Sequence, residues 1–286
     1  DYISYFVVKL VYLISKIIPM FILSNFCGVF VAIFGIFLKH SRIALDNFKK
    51  VFPDMPAIKR YKLLIECLFL LGKFGGEFFY VYSMKKEKFN KKVSLNDETT
   101  KSVLGEIRDN KFGSIIFSGH FSNWEFGLRY LCESGIKLNV VYRAVNNELI
   151  ENKIILNVRK SCDVKMIKKD SVSIIKIFKA LKRGENVLIL TDQRFSGGIK
   201  SKLLGMEAYT ADSIPIIAKK FKCPIYSMVT IRENFSSKFK IKARHFNYLE
   251  SESDEIIVQH MNDVIGSWIR ENPNQWLFLH NRWRKE

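Results

Sequence analysis

Residues 114–125 read SIIFSGHFSNWE, and this stretch decides how the chain is organised. The apolar run SIIFS is typical of a buried strand, and the glycine after it allows the backbone to turn sharply. Ser122, followed three residues later by Glu125, matches a capping box, which predicts that a helix begins here. The stretch therefore predicts a strand, a tight turn that contains His120, and a helix.

Strand-like and helix-like segments alternate on both sides of this stretch. Short apolar segments predict strands at 114–118, 139–143, 186–192, 224–232 and 239–246. Helices are predicted at 57–83, 123–134, 147–161, 171–183, 212–221 and 255–271. This alternation indicates an α/β fold with a mixed, mostly parallel sheet flanked by helices, in which the last strands are close enough to pair antiparallel. Ligand sites in such sheets lie beyond the carboxyl ends of the strands, so we looked for chemistry after SIIFS and after NVLILTD.

The composition excludes wholesale disorder and indicates an anionic partner. Of the 286 residues, 48% are apolar and 26% are charged, which is enough to bury a sizeable core. Lys and Arg number 46 and Asp and Glu number 28, so the formal charge is +18. This excess favours nucleic acid, anionic lipid, a phosphorylated substrate or an acidic protein as the partner. The five cysteines are scattered without a C-x-x-C pair, so we expect reduced thiols facing the cytoplasm and neither a zinc site nor a disulfide framework.

Residues 1–40 are predicted to form a membrane anchor. The run 17–38, IIPMFILSNFCGVFVAIFGIFL, contains no charged residue. A helix of that length reaches about 33 Å, against a hydrocarbon core of roughly 30 Å. It could span the bilayer or lie partly embedded, and a pair of buried core helices is the alternative. Lys39, Arg42 and two further lysines follow the run, which predicts that the remaining domain, residues 41–286, lies on the cytoplasmic side.

His120 and Glu125 are the candidate catalytic pair. The positive end of a helix disfavours an imidazolium, which suits a neutral histidine acting as a base. A carboxylate on the first helical turn could reach back and orient the imidazole, and general-base catalysis of this kind contributes roughly 10²–10⁴-fold. The spacing alone is weak evidence, because His245 also has an acid five positions on, Glu250, in a strand-like setting. A capping role for Glu125 and a hydrogen-bonded turn histidine are the structural alternatives.

An ordered set of motifs resembles one protein family. The motifs are GHFSNWE at 119–125, VVYR at 140–143, Asn147 followed by Arg159 on one predicted helix, TDQ at 191–193, IRENPNQWLFLHNRW at 269–283, and RIALDNF at 42–48 with Phe-Pro at 52–53. With them the chain resembles the bacterial lipid A biosynthesis acyltransferases, the lauroyl and myristoyl transferases of the lysophospholipid acyltransferase superfamily, whose signature is H-x4-D/E. It departs from their pattern at Arg194, where an acidic residue is common, and at 203–205, where LLG replaces two aromatics before glycine. Both departures bear on the acyl pocket and its chain preference.

The resemblance implies a glycerol-3-phosphate-acyltransferase-like fold and a membrane-bound O-acyltransferase. Such an enzyme would move a fatty acyl chain from acyl carrier protein to a hydroxyl of a lipid A precursor, at the cytoplasmic face of a bacterial inner membrane. Neither a metal nor a cofactor is expected, because the thioester is already activated. The positive charge would then serve the lipid phosphates, the anionic membrane surface and the acidic carrier protein.

The resemblance also implies roles for the candidate residues. His120 would deprotonate the acceptor hydroxyl while Glu125 holds the imidazole. Arg143 and Arg159 could each bind a lipid phosphate or the developing oxyanion, because a guanidinium fork suits both. A surface salt bridge is the alternative for each, and the family match favours Arg159.

Three strand-end, turn and carboxyl-terminal features complete the expected site. Asp192 is expected to orient His120 or Arg159, with a cap as the alternative, and Asn123 is placed in the same substrate-binding or orienting group. Gln275, Trp276 and Trp283 are expected in the core or at the membrane interface.

Other functions remain open from the sequence alone. An acyltransferase acting on a lysophospholipid or a phosphoglycolipid would share the same chemistry. A basic membrane-associated nucleic-acid-binding protein fits the charge, although the chain has no zinc-finger, RNP or recognition-helix pattern. A scaffold with a degenerate acyltransferase fold is the third alternative.

Overall fold

A computed structural model describes residues 2–160, 162, 164–170 and 172–283. The strands are β1 (Val93–Leu95), β2 (Ile115–Ser118), β3 (Leu138–Tyr142), β4 (Val164–Lys168), β5 (Asn186–Leu190), β6 (Ile199–Leu203), β7 (Met206–Thr210), β8 (Ile225–Arg232) and β9 (Phe239–Phe246). The helices are α1 (Tyr2–Ile14), α2 (Met20–Gly35), α3 (Lys39–Val51), α4 (Ala57–Val81), α5 (Lys86–Asn90), α6 (Glu98–Asp109), α7 (Trp124–Glu133), α8 (Glu148–Ile150), α9 (Leu156–Arg159), α10 (Ser173–Lys182), α11 (Ser213–Phe221) and α12 (Asp254–Glu271). A π-helical turn, Glu151–Ile155, joins α8 to α9, and a 3-10 turn, Pro273–Gln275, follows α12.

Seven strands form one mixed, mostly parallel sheet in the order β1-β9-β8-β2-β5-β3-β4. Within it only the β8–β9 pair is antiparallel, and β6 and β7 form a separate antiparallel hairpin. The predicted α/β class, the mostly parallel sheet and the antiparallel pairing of the last strands are confirmed. Because β2, β5, β3 and β4 run in the same direction, their carboxyl ends meet along one edge.

Both faces of the sheet are covered, as expected for strands that are apolar throughout. In β2, Ile115 and Phe117 join a core that includes residues of α10, α11 and α12. Ile116 points to the opposite face and joins a second core with residues of α6 and α7. The alternation of successive side chains therefore divides the interior into two layers.

The predicted strands and helices occur within a few residues of their predicted bounds, but the structure adds several elements. Strands β1 and β4, helix α6 and the β6–β7 hairpin were not predicted. Strand β4 reads VKMIK, in which lysines interrupt the apolar pattern, so it carries little strand signal. Two predicted helix ends, at Ser161 and Ser171, lie outside the described residues.

The N-terminal apolar run does not form the single long helix that its length predicts. Helix α2 begins after Pro19, which has no N–H to donate, and its last residue is Gly35, so the run is divided between α2 and short connections. No helix in the described part of the chain is long and apolar enough by itself to cross a bilayer. Helices α2 and α3 satisfy length and composition together, but they are bent by 83°.

Helix α2 packs closely against α4 through glycines. A Cβ atom on Gly72 would lie 2.2 Å from the carbonyl oxygen of Cys27, and one on Gly76 would lie 2.9 Å from the Cα of Ser24. On the rest of α1, α2 and the connections that follow them, large apolar side chains face outward. This apolar helix surface comprises Tyr2, Ile3, Phe6, Leu10, Ile17, Phe21, Phe26, Phe30, Phe34 and Phe37.

Candidate active site

The turn between β2 and α7 carries His120, as the sequence predicts. Ser122 in this turn adopts a left-handed backbone conformation with φ of 50°, which is uncommon for a residue with a side chain. The capping box is not formed, because the Ser122 hydroxyl has no hydrogen-bond partner among the described residues and the N-cap of α7 is Asn123. A strained turn that places a histidine at a strand end is typical of a functional site.

Asp192 holds His120 in one orientation. It lies just beyond β5, the strand beside β2, and its Oδ1 is 2.7 Å from His120 Nδ1. Its Oδ2 accepts a hydrogen bond of 2.8 Å from the His120 backbone N–H. Because a carboxylate can only accept, the Nδ1 atom carries the proton and Nε2 is left as an acceptor. The side chain of His120 is 19% exposed, so the ring is partly open to solvent.

The surroundings of Asp192 favour its charged form. Burial alone would raise the pKa of this carboxyl, but the nearby charge and the hydrogen bonds of His120, with a 2.7 Å hydrogen bond from Trp276 Nε1, lower the pKa overall. The carboxylate therefore remains ionised at neutral pH and can stabilise a positive imidazole. One of the two predicted alternatives, Asp192 orienting His120 rather than Arg159, agrees with this geometry.

The predicted hydrogen bond between Glu125 and His120 is not formed. Glu125 is fully buried, and its Oε2 accepts a 2.6 Å hydrogen bond from the Tyr82 hydroxyl. Both carboxylate oxygens also pair with the guanidinium of Arg159, through its Nε and one terminal nitrogen. The first turn of α7 thus directs this side chain toward α4 and α9 instead of back to the imidazole, which Asp192 already occupies.

Arg159 is therefore an oriented cation rather than a free one. Its side chain is 14% exposed, and its second terminal nitrogen, Nη1, has no protein hydrogen bond among the described residues. Burial raises the pKa of the neighbouring Tyr82 well above its usual value, and the charge of Glu125 adds to this effect. The tyrosine accordingly stays protonated and remains a donor to the carboxylate.

Carboxyl-terminal residues clamp the turn that carries His120. Phe121 forms an antiparallel bridge with Trp276, and the Ser122 backbone N–H donates to the Gln275 carbonyl at 2.7 Å. The backbone N–H of Leu277 donates to the His120 carbonyl at 3.2 Å. Trp276 and Trp283 are buried in the core, one of the two places expected for them. The sequence does not predict the contact of Trp276 with Asp192, although the Gln-Trp pair belongs to one of the motifs above.

A buried ion pair is joined by hydrogen bonds to the residue that follows the turn. Arg232 and Glu77 are both fully buried and form two hydrogen bonds of 2.7 Å. Glu77 also accepts 3.0 Å from the side chain of Asn123 and 3.1 Å from the hydroxyl of Ser24. Asn123 thus belongs to the hydrogen-bond network around Glu77 and not to the group that contacts His120. No sequence signal linked these residues, because they come from four separate segments.

Arg143 stands apart from these residues. It follows β3 at the carboxyl edge and is exposed, and no described hydrogen bond joins its side chain to His120, Glu125 or Asp192. Of the predicted site residues, the structure thus joins His120 to Asp192 and Glu125 to Arg159, and it separates Asn123 and Arg143 from both pairs.

Aromatic side chains line one side of His120. The Trp124 ring lies 4.9 Å from the imidazole, centroid to centroid, and the Phe74 ring lies 4.5 Å from Trp124. Phe74 also packs at the edge of a cluster formed by Phe78, Phe79 and Ile154, against which α1 places Tyr5 and Val8. A proton acceptor beside an apolar wall suits a reaction on a molecule with a hydrocarbon chain. The described residues contain no group of three His, Cys, Asp or Glu side chains placed to hold a metal ion.

An imidazole held by a carboxylate at the carboxyl edge of an open α/β sheet is an arrangement typical of enzymes that use a general base. A family model described as bacterial lipid A biosynthesis acyltransferase matches residues 1–285. The chain therefore belongs to the bacterial lipid A biosynthesis acyltransferase family, and it is an acyltransferase. A comparison with curated proteins gave no match.

Proposed function

We propose that this enzyme transfers a fatty acyl chain from the thioester of acyl carrier protein to a hydroxyl of a lipid A precursor, with His120 as the general base. The observation that carries the proposal is the His120–Asp192 pair, at 2.7 Å, in a chain of this family. It leaves the imidazole Nε2 as the proton acceptor at the edge of the sheet.

The reaction follows from the state of the imidazole. Nε2 takes the proton of the acceptor hydroxyl as its oxygen attacks the thioester carbonyl carbon, and a tetrahedral intermediate forms. The ionised Asp192 stabilises the imidazolium through Nδ1. The C–S bond then breaks, and the imidazolium returns its proton to the departing thiolate sulfur. An ester and a free thiol are the products.

Arg159 is proposed to stabilise the oxyanion of that intermediate. Glu125 and Tyr82 fix the guanidinium, so no side-chain freedom is lost when a negative charge develops beside it. The backbone N–H groups that begin α7 supply further donors close to His120. Glu125 then acts through Arg159, as a positioning residue, and not on the imidazole.

The apolar helix surface supports a location at a membrane. Ile3 is 83% exposed and Ile17 is 86% exposed, and contiguous apolar patches of this kind are rare on monomeric soluble proteins. Lys39, Arg42, Lys49 and Lys50 follow these helices and suit an anionic leaflet. We propose that the enzyme binds the cytoplasmic face of a bacterial inner membrane, where the lipid acceptor and the soluble carrier protein can meet.

The test is acyl transfer by detergent-solubilised protein, followed by product mass, with carrier-protein thioester and tetra-acylated lipid A precursor. His120→Gln is expected to lower kcat by about 10²–10⁴-fold, because the proton acceptor is lost. His245→Gln is the matched control, since His245 is a half-exposed surface histidine that pairs with Glu106. It should transfer at the wild-type rate.

Transfer by His120→Gln at the wild-type rate would refute the proposal. Lysophospholipid and phosphoglycolipid acceptors belong in the same assay. Faster transfer to either of these would replace the lipid A precursor as the acceptor while leaving the chemistry unchanged.

A further inference from the structure

Two cations lie side by side on neighbouring strands beyond the residues that the mechanism uses. Strands β3 and β4 are parallel, with Tyr142 level with Lys168, and the Lys169 backbone N–H donates to the Tyr142 carbonyl at 2.8 Å. Continued by one residue, this register brings Arg143 level with Lys169. Neighbouring strands are about 4.8 Å apart, and level residues of parallel strands point to the same face.

Neither cation is neutralised by the part of the chain that the structure describes. Among the described residues, no carboxylate forms an ion pair with Arg143 or with Lys169. The nearest acid in sequence, Asp170, accepts from the Val172 backbone N–H at 3.1 Å and faces Lys176 at 3.5 Å. Like charges placed level on adjacent strands destabilise a sheet, so this arrangement costs folding free energy unless an anion occupies it.

Both cations are exposed, and an aromatic ring packs against one of them. The ammonium of Lys169 lies 4.3 Å from the centre of the Phe195 ring. Partial burial lowers the pKa of Lys169, and the charge of Arg143 lowers the pKa further. A bound anion would relieve both effects.

A third group on the same edge is left without a partner. The Thr191 backbone N–H continues the ladder of β5 by donating to the Ser118 carbonyl at 3.0 Å, and continuing the β3–β5 register brings Thr191 level with Arg143. Its hydroxyl is buried and has no hydrogen-bond partner among the described residues. Three adjacent strands thus end in a hydroxyl, a guanidinium and an ammonium.

We propose that Arg143 and Lys169 form a phosphate-binding site at the carboxyl edge of β3 and β4, with Thr191 as an additional donor. This inference rests on the proposed function for the identity of the substrate. A planar guanidinium beside an ammonium suits a phosphate, which can accept two parallel hydrogen bonds from the first and a point charge from the second.

The position of the site relates the phosphate to the reacting substrates. In the strand order, β4 lies three strand spacings from β2, or about 14 Å from the strand that carries His120. A phosphate held there would belong to a molecule whose other end reaches the base. Both substrates of the proposed reaction offer such a group: the phosphorylated lipid acceptor and the phosphopantetheine arm of the carrier protein.

The experiment compares Arg143→Gln and Lys169→Gln with Lys182→Gln as the matched control. Lys182 is exposed at the end of α10, at the opposite edge of the sheet, and its substitution removes the same charge. Kinetics are measured with acceptor lipid with and without its phosphates, and with carrier-protein thioester against an N-acetylcysteamine thioester, which has no phosphate. Both site variants should raise KM about 10-fold for the substrate whose phosphate is bound and change kcat little, since one charge-assisted hydrogen bond is removed.

The wild type should prefer the phosphorylated form of one substrate, either the acceptor lipid or the thioester. The substrate for which this preference disappears in the site variants is the source of the phosphate. If both site variants behave as Lys182→Gln does with all four substrates, or raise KM equally with and without phosphate, the inference is wrong. Calorimetric titration of the full chain with inorganic pyrophosphate gives a second readout that does not depend on catalysis. Wild type should bind pyrophosphate and the site variants should not, even if the proposed reaction fails, and absence of binding to wild type would also overturn the site.

Discussion

At the scale of single residues, the orientation of His120 depends on partners that are distant in the chain. Asp192 is 72 positions from His120, and Trp276 is 84 positions from Asp192. Three N–H donors converge on one buried carboxylate: the imidazole and backbone of His120 and the indole of Trp276. Hydrogen bonds to an ionised group are stronger than neutral ones, so each donor contributes to the fixed position of the acid.

Trp276→Phe should therefore impair chemistry as well as stability. It removes one donor from Asp192 and keeps an apolar ring, so we expect kcat to fall about tenfold with KM unchanged and stability to fall by about 1–3 kcal/mol. Trp283→Phe is the control, because its indole donates to the Leu203 carbonyl in the core and not to the site. Steady-state kinetics and urea unfolding of both variants test this expectation, and equal loss of kcat in the two would contradict it.

Single residues also show which contacts of the candidate site the sequence predicts and which it does not. His120 could be predicted because a strand, a glycine turn and a helix leave a local pattern. The same local pattern suggests Glu125 as its partner, but Glu125 contacts Tyr82 and Arg159 instead. The contact of His120 with Asp192 is one of two roles that the position of Asp192 at a strand end suggests, the other being to orient Arg159. Which way a first-turn side chain points is decided by the groups packed against it, here Tyr82 and Arg159.

At the scale of elements, the contact between α2 and α4 depends on residues without side chains. Gly72 and Gly76 of α4 face the backbone of α2 at distances that leave no room for a Cβ atom. Glycine is unfavourable inside a helix, so two of them on one face indicate close helix packing. The sequence predicts the helix at 57–83 but does not show which element packs against these glycines.

Gly72→Ala should destabilise the protein and Gly75→Ala should not. The first places a Cβ atom 2.2 Å from a backbone oxygen, so the helices must separate, at a cost of about 1–3 kcal/mol. The second lies on the same helix with no atom within 4 Å, and alanine there should stabilise it by about 0.5–1 kcal/mol. Thermal unfolding of the two variants in one detergent provides the comparison, and a stability change of the same sign in both would disprove the packing argument.

The central strands were predictable because each is a short apolar run between turns. The β6–β7 hairpin was not, since IKSKL and MEAYT carry alternating polar residues that do not stand out from a loop. The run 17–38 was apolar enough to predict one long helix, yet Pro19 begins a shorter one. The apolar composition thus predicts a helical region at 17–38, whereas the backbone of Pro19 determines where the helix begins.

At the scale of the whole molecule, the buried Glu77–Arg232 pair connects the N-terminal helices, the turn that carries His120, and the antiparallel strands β8 and β9. Glu77 receives hydrogen bonds from Ser24 in α2, Asn123 before α7, and Ser237 before β9. Buried charges are tolerated when they are paired and hydrogen-bonded, so the segments that supply these partners must be in place together.

Glu77→Gln should cost about 3–5 kcal/mol, because it leaves Arg232 buried without a counter-charge. Burial tends to raise the pKa of Glu77, but the charge and hydrogen bonds of Arg232 lower it overall. The stabilisation is therefore complete above the usual glutamate pKa and is lost as pH falls through the lowered value. Urea unfolding from pH 7 to pH 3 should show a steep acid loss in wild type that is smaller in Glu77→Gln.

The control for this prediction is Glu98→Gln, which removes an exposed pair with Lys101 on α6. Exposed pairs of this kind contribute little to stability, so the variant should follow the wild-type curve at every pH. Equal stability of Glu77→Gln and Glu98→Gln at pH 7 would show that the buried pair does not stabilise the fold.

The clamp formed by residues 275–277 has a consequence for synthesis. These residues are made long after His120, and until they leave the ribosome the histidine turn lacks its two backbone hydrogen bonds to them and Asp192 lacks its indole donor. Under the proposed location at a membrane, a nascent chain whose first helices contact lipid would be unable to modify that lipid at this stage. The proposed reaction would begin only after residues 275–277 have been made and have bound the turn.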